Sequence, residues 1–316
     1  MPAAHPTHPL PEAPSMDEAI RKADILIEAL PYIRRFARRP VVVKFGGSAM
    51  ESAAVLDDVL HDIVFLATVG IRTIVVHGGG PQISEAMKQA GLEPKFVEGH
   101  RVTDAETLQV AVRVLSEEIS ADIVRRIRAW GGRARPGYSG GRSLLRARRK
   151  LMRATVDGVP RKIDVGFVGE VHDVDLWTML DATDDGSVLV LPPIGQDEGG
   201  QLYNVNADTA AAAVAGALKA EKLVFLSNVH GIMTEPGNPD SFISSVPEEQ
   251  VEAMIRDGVI SGGMLPKVAA CVRAIDAGVR KAHIIDGRLP HSLLLEIFTD
   301  KGVGTEILKS APPAGA

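Results

Sequence analysis

The sequence has little of several features that would indicate particular classes of protein. Its 316 residues include one cysteine, Cys271, and only 4% aromatic residues, and its formal net charge is −5. A single cysteine excludes an intramolecular disulfide and any zinc site built on several cysteines. Few aromatic side chains and an acidic balance argue against nucleic acid and anionic membranes as partners, because both are recognised by basic surfaces.

Long apolar stretches are also missing. No run approaches the ~18 apolar residues that span a bilayer, and the first 14 residues, with five prolines, lack the apolar centre of a signal peptide. With 45% hydrophobic residues the chain can still bury a large core. We therefore predict a cytoplasmic globular protein with a disordered tail at residues 1–14.

Order is predicted to begin at Ser15, which forms an S-x-x-E capping box with Glu18. Apolar residues then recur at helical spacing and predict an amphipathic helix from about Met16 to Phe36, with a kink near Pro31. The apolar stripe of this helix has two interpretations, which are docking on its own domain and contact within an oligomer.

From Val41 onward, strand and helix patterns alternate. Strands are predicted at 41–45, 73–77, 187–191, 222–227 and 283–286, hairpins over 143–171, and helices at 52–69, 81–89, 104–130, 208–218, 247–257, 265–277 and 292–298. The helix at 104–130 has Thr103 as its predicted cap. This alternation predicts an α/β fold, a three-layer αβα sandwich around a mainly parallel open sheet.

Two glycine-rich segments, KFGGS at 44–48 and HGGGP at 77–81, follow the first two predicted strands. Glycines let backbone amides converge on an anion, and a following helix adds a favourable dipole. Parallel strands end at the same edge of a sheet, so the two loops should lie side by side where open α/β sheets bind ligands. Either loop alone is also compatible with a tight turn. Neither is a Walker A or dinucleotide fingerprint, which disfavours P-loop ATPases and Rossmann dehydrogenases.

Two further segments precede predicted helices. NVNAD at 204–208 leads into an alanine-rich helix, where Asn206 or Asp208 can serve simply as a cap. SGGMLPK at 261–267 places Lys267 in the first turn of another helix. A lysine there opposes the helix dipole, and it is tolerated more easily if an anion occupies the site.

A basic run lies between these pairs of motifs. From Arg133 to Lys162 there are ten Lys and Arg residues and one acidic residue, Asp157. Such a run is compatible with a phosphate or nucleic-acid patch. Aromatic residues are nearly absent from it, which favours a solvated hairpin face.

KFGGS, HGGGPQI, GHRVTD (99–104), NVNAD and SGGMLPK, in this order and spacing, resemble the amino-acid kinase family from about Val41 to the C-terminus. GHRVTD, NVNAD and SGGMLPK most resemble the members that use ATP to phosphorylate the γ-carboxylate of N-acetyl-L-glutamate in arginine biosynthesis. The product is N-acetyl-L-glutamyl 5-phosphate. The resemblance implies an oligomerisation helix at 15–39, an N-acetylglutamate-binding lobe at 40–217 and an ATP-binding lobe at 218–316.

The resemblance also implies site residues. The implied catalytic residues are two lysines that stabilise the transferring phosphoryl group and an aspartate that orients them: Lys44, Lys267 and Asp208. The implied substrate-binding residues are Gly79, Gly80, Arg101 and Asn204, with the last two on the α-carboxylate and neighbouring groups. The implied nucleotide-binding residues are Gly46, Gly47, Ser227, Gly231 and Ile232. Mg²⁺ is expected to be held mainly by the phosphates of ATP, without protein ligands.

The implied chemistry needs no general base, because the acceptor carboxylate is already ionised at pH 7. No Ser–His or His–Asp pairing is evident in the sequence. Phosphoryl transfer requires in-line positioning and neutralisation of the phosphoryl oxygens. Two lysines, glycine amides and Mg²⁺-ATP supply both requirements.

Two departures from the family pattern stand out. Asn228 replaces an aspartate that is frequent in the nucleotide loop, and GYSGGR at 137–142 replaces the usual GLSGKD hairpin. Two alternatives remain open. A kinase for an N-acylated α-aminoadipate of lysine biosynthesis differs by one methylene in its substrate, worth about 1–3 kcal/mol. A catalytically silent regulatory subunit is the other, although retention of both lysines and Asp208 argues against it.

The helix ahead of the first strand resembles that of the arginine-inhibited members, which form hexamers as trimers of dimers through this helix. The segment from Ala282 to Gly304 resembles theirs as well. The resemblance implies an arginine pocket lined by His283, Glu296 and Gly302. The resemblance therefore implies a homo-oligomer, a hexamer built as a trimer of dimers, with arginine as its inhibitor.

Overall fold

The computed structural model describes residues 15–47, 50, 52–97, 99–156, 159–235, 238–299 and 302–310. The predicted tail at 1–14 and Ser48 of the first glycine-rich segment lie outside the described residues. The helices are α1 (Met16–Phe36), α2 (Ala53–Thr68), α3 (Gly80–Gln89), α4 (Ala105–Val112, continued as a π-helix over Arg113–Ser120 and as an α-helix over Ala121–Ala129), α5 (Leu176–Asp184), α6 (Ala207–Ala217), α7 (Val251–Arg256), α8 (Leu265–Asp276) and α9 (Ser292–Phe298).

Eighteen strands are described. They are β1 (Pro40–Phe45), β2 (Arg72–His77), β3 (Phe96–Val97), β4 (His100–Arg101), β5 (Ala134–Pro136), β6 (Tyr138–Ser139), β7 (Arg142–Ser143), β8 (Leu145–Val156), β9 (Val159–Val174), β10 (Val188–Leu191), β11 (Ile194–Gln196), β12 (Leu202–Val205), β13 (Lys222–Ser227), β14 (Ile232–Met233), β15 (Phe242–Ile243), β16 (Ser245–Pro247), β17 (Lys281–Asp286) and β18 (Thr305–Leu308). Short 3-10 turns cover Pro239–Ser241, Glu248–Gln250 and Gly262–Met264.

The central sheet has eight strands in the order β16-β18-β17-β13-β1-β2-β10-β5. Its neighbouring strands pair in parallel except β17 and β18, which are antiparallel. The predicted mainly parallel sheet is therefore confirmed. The predicted hairpin region forms the long antiparallel pair β8 and β9, which closes with β11 and β12 into a small barrel.

The core explains why the strands read as continuous apolar runs. Alternate residues of β1 enter opposite layers: Val42 packs with α6 and α8, whereas Val41 and Val43 pack with α2 and α4. β13 is buried at every position. Burial of both faces is what a parallel sheet requires, and it gives the three-layer arrangement that the alternation predicted.

Helix starts follow local capping chemistry. The Ser15 hydroxyl accepts the amide of Glu18 at 3.2 Å, as the capping box predicts. The predicted cap of the long helix was wrong by one residue. Asp104, and not Thr103, accepts the amide of Thr107 at 2.8 Å, because the Thr103 hydroxyl donates to the Arg101 carbonyl at 2.9 Å. The π-helical segment within α4 and the whole of α5 were not predicted.

The α1 helix continues through Pro31 and docks only by its last turn. Phe36 is buried, and Tyr32 makes an edge contact with Phe298 at a ring separation of 6.4 Å. Apolar residues earlier in the helix stay exposed, with Met16 75% and Ile27 68% accessible. Among the described residues, no helix has the length and apolarity needed to cross a membrane.

Candidate active site

The two glycine-rich loops touch each other at the carboxyl edge of the sheet. β1 and β2 run in register with Phe45 beside His77, and the Gly78 amide donates to the Phe45 carbonyl at 2.7 Å. A Cβ on Gly46 would lie 3.0 Å from the Gly78 Cα, and a Cβ on Gly78 would lie 3.2 Å from the Gly46 Cα. The prediction that the loops lie side by side is confirmed, and a side chain at either position would be crowded by the backbone of the other loop, which favours glycine.

Three charged residues from three elements meet beside these loops. Lys44 extends from the end of β1, Asp208 from the first turn of α6, and Lys267 from the first turn of α8. Lys44 Nζ lies 2.6 Å from Asp208 Oδ1, and Lys267 Nζ donates to Asp208 Oδ2 at 3.1 Å. We call these residues the lysine–aspartate trio. One carboxylate thus holds two ammonium groups in a fixed relation to each other.

Burial shapes the charges of the trio. Burial lowers the pKa of Lys44; Asp208 opposes this shift, and the nearby Lys267 adds to it. Burial alone would raise the pKa of Asp208, but the two lysine charges outweigh it, so the pKa of Asp208 is lowered. Asp208 is therefore a carboxylate at neutral pH. With both lysines protonated, the trio carries a surplus positive charge in a site largely shielded from water, where it attracts an anion strongly.

Arg101 lies at the end of β4 and is buried, although it is a permanent cation. Its Nη2 donates to the Gly80 carbonyl at 2.9 Å and to the Ser84 hydroxyl at 2.8 Å. Its guanidinium stacks 4.8 Å from the centre of the Phe96 ring. The structure thus brings Arg101 directly against the second glycine-rich loop. Burial lowers the pKa of Arg101, and an anionic ligand is the natural partner for such a partly desolvated guanidinium.

Asn204 is connected to Arg101 through Thr103. The Asn204 side-chain amide donates to the Thr103 hydroxyl at 3.3 Å, and that hydroxyl donates to the Arg101 carbonyl. Gly79 and Gly80 are adjacent in the loop that Arg101 touches. The four residues predicted to bind substrate are therefore linked by direct or single-residue contacts.

A cavity of about 370 Å³ opens on the other side of the trio. It is lined by Ser227, Asn228, Val229, Gly231, Ile232, Met233, Val259, Ser261, Gly263, Met264 and Lys267. Three predicted nucleotide-binding residues belong to this wall: Ser227 at the end of β13, Gly231 in the following loop, and Ile232 at the start of β14. Gly231 has φ +145°, and a Cβ there would lie 2.5 Å from Thr305 Oγ1 and 2.7 Å from the Phe242 ring, so only glycine fits.

Gly46 and Gly47 lie outside that wall and reach it through the trio. A Cβ on Gly46 would lie 3.7 Å from Lys44 Nζ, which places this loop beside that lysine. Gly47 has φ +53°, a conformation that favours glycine. The predicted site residues thus lie in three groups, which are the residues around Arg101, the trio beside the glycine-rich loops, and the wall of the cavity that Lys267 also lines.

Sequence reasoning missed several residues that lie beside the predicted site residues. Ser84 and Phe96 hold Arg101, and Asp286 lies next to Ser227 in the sheet register. Asp286 accepts two hydrogen bonds from the Arg288 side chain, at 2.9 and 2.7 Å. Asp286 could have been found, because a carboxylate that ends an apolar strand lies at the ligand-binding edge.

The three residues predicted to bind an effector also come together, on a different face. His283 Nδ1 lies 2.7 Å from Glu296 Oε1, and Glu296 Oε2 accepts the amides of Val303 and Gly304 at 2.9 and 3.2 Å. A Cβ on Gly302 would fall 2.7 Å from the Glu296 carboxylate. Glu296 borders a cavity of about 550 Å³ between α1 and the C-terminal strands; its charged wall residues are Arg35, Lys222, Lys281, Glu296 and Glu306.

Burial governs the charges in this second cluster too. Burial lowers the pKa of His283, against the opposing effect of Glu296. Burial alone would raise the pKa of Glu296, but hydrogen bonding and charge from His283, with Lys222, outweigh it and the pKa of Glu296 is lowered. Glu296 is therefore anionic at neutral pH and can face a cation.

Of the seven basic residues of the run whose side chains the structure describes, four pair with acids outside it. Arg149 donates to both oxygens of Asp164 at 2.9 and 2.7 Å, and Arg135 donates to Asp185 at 2.8 Å. Arg148 reaches Glu170 at 3.3 Å. Arg135 lies in β5 of the central sheet, whereas Arg148 and Arg149 lie on the exposed β8–β9 ribbon, and their contacts there favour the interpretation of a solvated hairpin face.

Comparisons with known proteins identify relatives of the chain in sequence and in fold. A model of the amino acid kinase family matches residues 39–286. Acetylglutamate kinase of Heliobacterium modesticaldum is 46% identical over 93% of the chain and 100% of that protein. Two solved structures of N-acetylglutamate synthase from Neisseria gonorrhoeae, complexed with coenzyme A and either N-acetyl-glutamate or L-arginine, are similar in fold. Their identities are 26% and 28%, their TM-scores 0.75 and 0.73, and each match covers 92% of the chain. The chain spans 64% and 66% of those two proteins.

Proposed function

The chain belongs to the amino acid kinase family, and from this premise we propose that it transfers the γ-phosphoryl group of ATP to the γ-carboxylate of N-acetyl-L-glutamate. The product is N-acetyl-L-glutamyl 5-phosphate, an intermediate of arginine biosynthesis in the cytoplasm. The relative from H. modesticaldum, whose whole length is matched at 46% identity, supports this substrate.

The observation that carries the proposal is the lysine–aspartate trio, in which one carboxylate holds two ammonium groups beside the glycine-rich loops. Phosphoryl transfer spreads negative charge over the equatorial oxygens of the moving group. Lys44 and Lys267 are both held by Asp208, at 2.6 and 3.1 Å, so their ammonium groups are fixed before substrates arrive. Charges that are already in place stabilise the transition state without reorganisation at the moment of reaction.

The acceptor side needs orientation more than proton transfer. A carboxylate is ionised at pH 7 and attacks as it is. Arg101 contacts the Gly80 carbonyl, so a guanidinium grip on the α-carboxylate places the rest of the acceptor along the glycine loop. The amides of Gly79 and Gly80 can then receive the γ-carboxylate end.

We propose that ATP occupies the cavity after β13, whose wall includes Lys267, with its phosphates directed toward that lysine and the loop of Gly46 and Gly47. Both oxygens of Asp208 already face an ammonium group, so this carboxylate is neutralised without a metal. The surroundings suit Mg²⁺ held by phosphate oxygens and water. When bound, Mg²⁺ neutralises charge on the phosphates.

Acceptor-dependent turnover tests the proposal. ADP release would be measured with N-acetylglutamate, glutamate, aspartate and N-acetyl-α-aminoadipate, and hydroxylamine would trap the acyl phosphate as a hydroxamate. We expect the highest kcat/KM with N-acetylglutamate. Preference for the aminoadipate would assign the lysine pathway, and absence of turnover with all four would indicate a silent regulatory subunit.

We further propose that arginine inhibits the enzyme at the cavity beside α1. The carboxylates of Glu296 and Glu306 on its wall suit a guanidinium and an α-ammonium group. One synthase structure of similar fold is complexed with L-arginine. The exposed apolar residues of α1 support a homo-oligomer, with a hexamer built as a trimer of dimers as the expected form.

A further inference from the structure

His77 is a fully buried histidine whose ring is held from both sides. Its Nδ1 lies 2.8 Å from the Gly78 carbonyl oxygen, and its Nε2 lies 2.6 Å from the Ser120 hydroxyl. A carbonyl oxygen only accepts, so Nδ1 carries the proton and Nε2 accepts from the Ser120 hydroxyl. The two hydrogen bonds therefore select one neutral tautomer of the ring.

The neutral state fits the surroundings. Burial lowers the pKa of His77 to about 4, so the ring keeps one donor and one acceptor throughout the physiological range. It does not serve as an acid or base there. Its geometry instead joins the first glycine after β2 to a residue of α4.

Ser120 is the last residue of the π-helical segment Arg113–Ser120, and the same segment packs on the next glycine. A Cβ on Gly79 would lie 2.7 Å from Leu115 Cδ2 and 2.8 Å from Ile119 Cδ1. Both side chains thus fill the space beside Gly79. π-helical turns are rare and frequently occur at functional sites, and here the turn presents Leu115, Ile119 and Ser120 to one loop.

Gly78 also packs against the first glycine-rich loop. Its amide donates to the Phe45 carbonyl at 2.7 Å, and a Cβ on Gly46 would lie 3.0 Å from the Gly78 Cα. We propose that His77 is a positioning residue for phosphoryl transfer: the Gly78–His77–Ser120 link sets the backbone of Gly79 and Gly80 against the acceptor. This inference rests on the proposed kinase function. His77 acts through the loop and touches no reacting atom.

Two variants break the link from opposite ends. In His77→Asn the side-chain amide can replace the Nδ1 donor but cannot reach Ser120, and Ser120→Ala removes the hydroxyl alone. We expect each to lower kcat roughly tenfold, since small misplacements of reacting groups are costly, and to raise KM for N-acetylglutamate. KM for ATP should stay within twofold. Thr183→Val is the control: it removes another buried hydroxyl, which donates to the Met179 carbonyl in α5, away from the site.

The split between substrates separates positioning from a loss of stability. If both variants keep kcat and KM for N-acetylglutamate within twofold of the parent, the proposal is wrong. It is equally wrong if KM for both substrates rises together, with melting temperatures well below that of Thr183→Val. ¹⁵N-histidine NMR should show one neutral, Nδ1-protonated ring from pH 6 to 8, and a charged or Nε2-protonated His77 would overturn the assignment.

A second readout does not depend on turnover. Hydrogen exchange at the Gly79 and Gly80 amides should be faster in Ser120→Ala than in Thr183→Val. If the parent protein fails to phosphorylate N-acetylglutamate, the proposed function fails while faster exchange still supports the link. Unchanged exchange would remove the link whatever the substrate.

Discussion

The side-chain oxygen of Asn206 accepts a hydrogen bond from the backbone amide of Asp208 at 3.0 Å. It also accepts the amide of Thr209 at 3.1 Å, so Asn206 caps α6. The Asp208 side chain is therefore not required as a cap and is free to face Lys44 and Lys267. The sequence NVNAD allowed either a capping role or a charge-orienting role. In the structure Asn206 caps the helix, and Asp208 faces the lysines.

This division predicts a coupled effect of changing Asn206. Asn206→Ala should lower the free energy of unfolding by about 1 kcal/mol, the usual value of an N-cap, and should also lower kcat because the first turn that carries Asp208 is less fixed. Asn206→Ser can still cap the helix, so it should retain most of the free energy of unfolding and most of kcat. Chemical denaturation and steady-state kinetics would measure them. A stable but slow Asn206→Ala would shift Asn206 from a cap to a direct role in the reaction.

The lysines of the trio should affect the reaction rate more than substrate binding. Lys44→Met and Lys267→Met each remove an ammonium group that is already positioned at Asp208, and kcat should fall roughly 10²-fold or more. Binding of N-acetylglutamate, measured by calorimetry, should change much less. Lys22→Met on the exposed face of α1 is the control, since its partner is the exposed Glu18. Near-normal kcat in either trio variant would contradict the assigned role.

Arg101 should discriminate between the two substrates. Its planar guanidinium can grip a carboxylate with two parallel hydrogen bonds, and lysine cannot reproduce that geometry. Arg101→Lys should therefore raise KM for N-acetylglutamate and leave KM for ATP nearly unchanged. Arg148→Lys, on the exposed ribbon, should change neither. Equal effects on both substrates would show that Arg101 mainly supports the fold of its lobe.

The meeting of the glycine loops was predictable from sequence because it depends only on strand direction. Once β1 and β2 are parallel neighbours, the residues after Phe45 and His77 must emerge at one edge. The central strands were likewise predictable, because strands buried on both faces are continuous apolar runs in the sequence. The order of the edge strands, where β18 joins antiparallel, carried no comparable local signal.

Other features depend on contacts between distant residues. Threonine and aspartate can both cap a helix, so the sequence does not distinguish Thr103 from Asp104 as the cap. In the structure the Thr103 hydroxyl donates to the Arg101 carbonyl, and Asp104 caps the helix instead. The π-helical segment in α4 ends at Ser120, whose hydroxyl contacts the buried ring of His77, 43 residues earlier in the sequence. Ser84 is recognisable as a partner of Arg101 only after α3 and β4 are placed together.

His77 also predicts a pH dependence of stability. Its ordinary pKa of 6.5 falls to about 4 in the folded protein because of burial. Between pH 6.5 and pH 4 the unfolded state binds more protons than the folded state does. The stability that the neutral His77 ring contributes is therefore fully present above pH 6.5 and is lost as the pH falls toward 4. This lowering of the pKa of His77 corresponds to roughly 3 kcal/mol of folding free energy.

Denaturation of the parent and of His77→Asn at pH 7.5 and pH 4.5 would measure this contribution. Effects of other titrating groups are common to both proteins and cancel in the difference. The stability advantage of the parent over the variant should shrink at the lower pH. An advantage that is constant or larger at pH 4.5 would mean that the ring is charged in the folded state.

The exposed part of α1 predicts a link between assembly and inhibition. Leu26 is 65% and Ile27 68% exposed, a large cost in apolar hydration unless another subunit covers them. The last turn of the same helix, with Arg35 and Phe36, borders the cavity of Glu296. Arginine that binds one arrangement of subunits better than another will shift the equilibrium toward it.

Deleting residues 1–38 should therefore give active dimers, seen by light scattering, whose arginine sensitivity is reduced by roughly tenfold or more. Leu26→Asp should weaken assembly in the same direction while leaving the cavity wall intact, and Glu28→Ala, on the same exposed helix, serves as its control. In the full-length enzyme, millimolar arginine should act chiefly by weakening the apparent affinity for N-acetylglutamate. A truncated protein that remained hexameric and equally inhibited would separate α1 from regulation. It would leave the trio and its reaction untouched, because Lys44, Asp208 and Lys267 lie on β1, α6 and α8 and pair with one another.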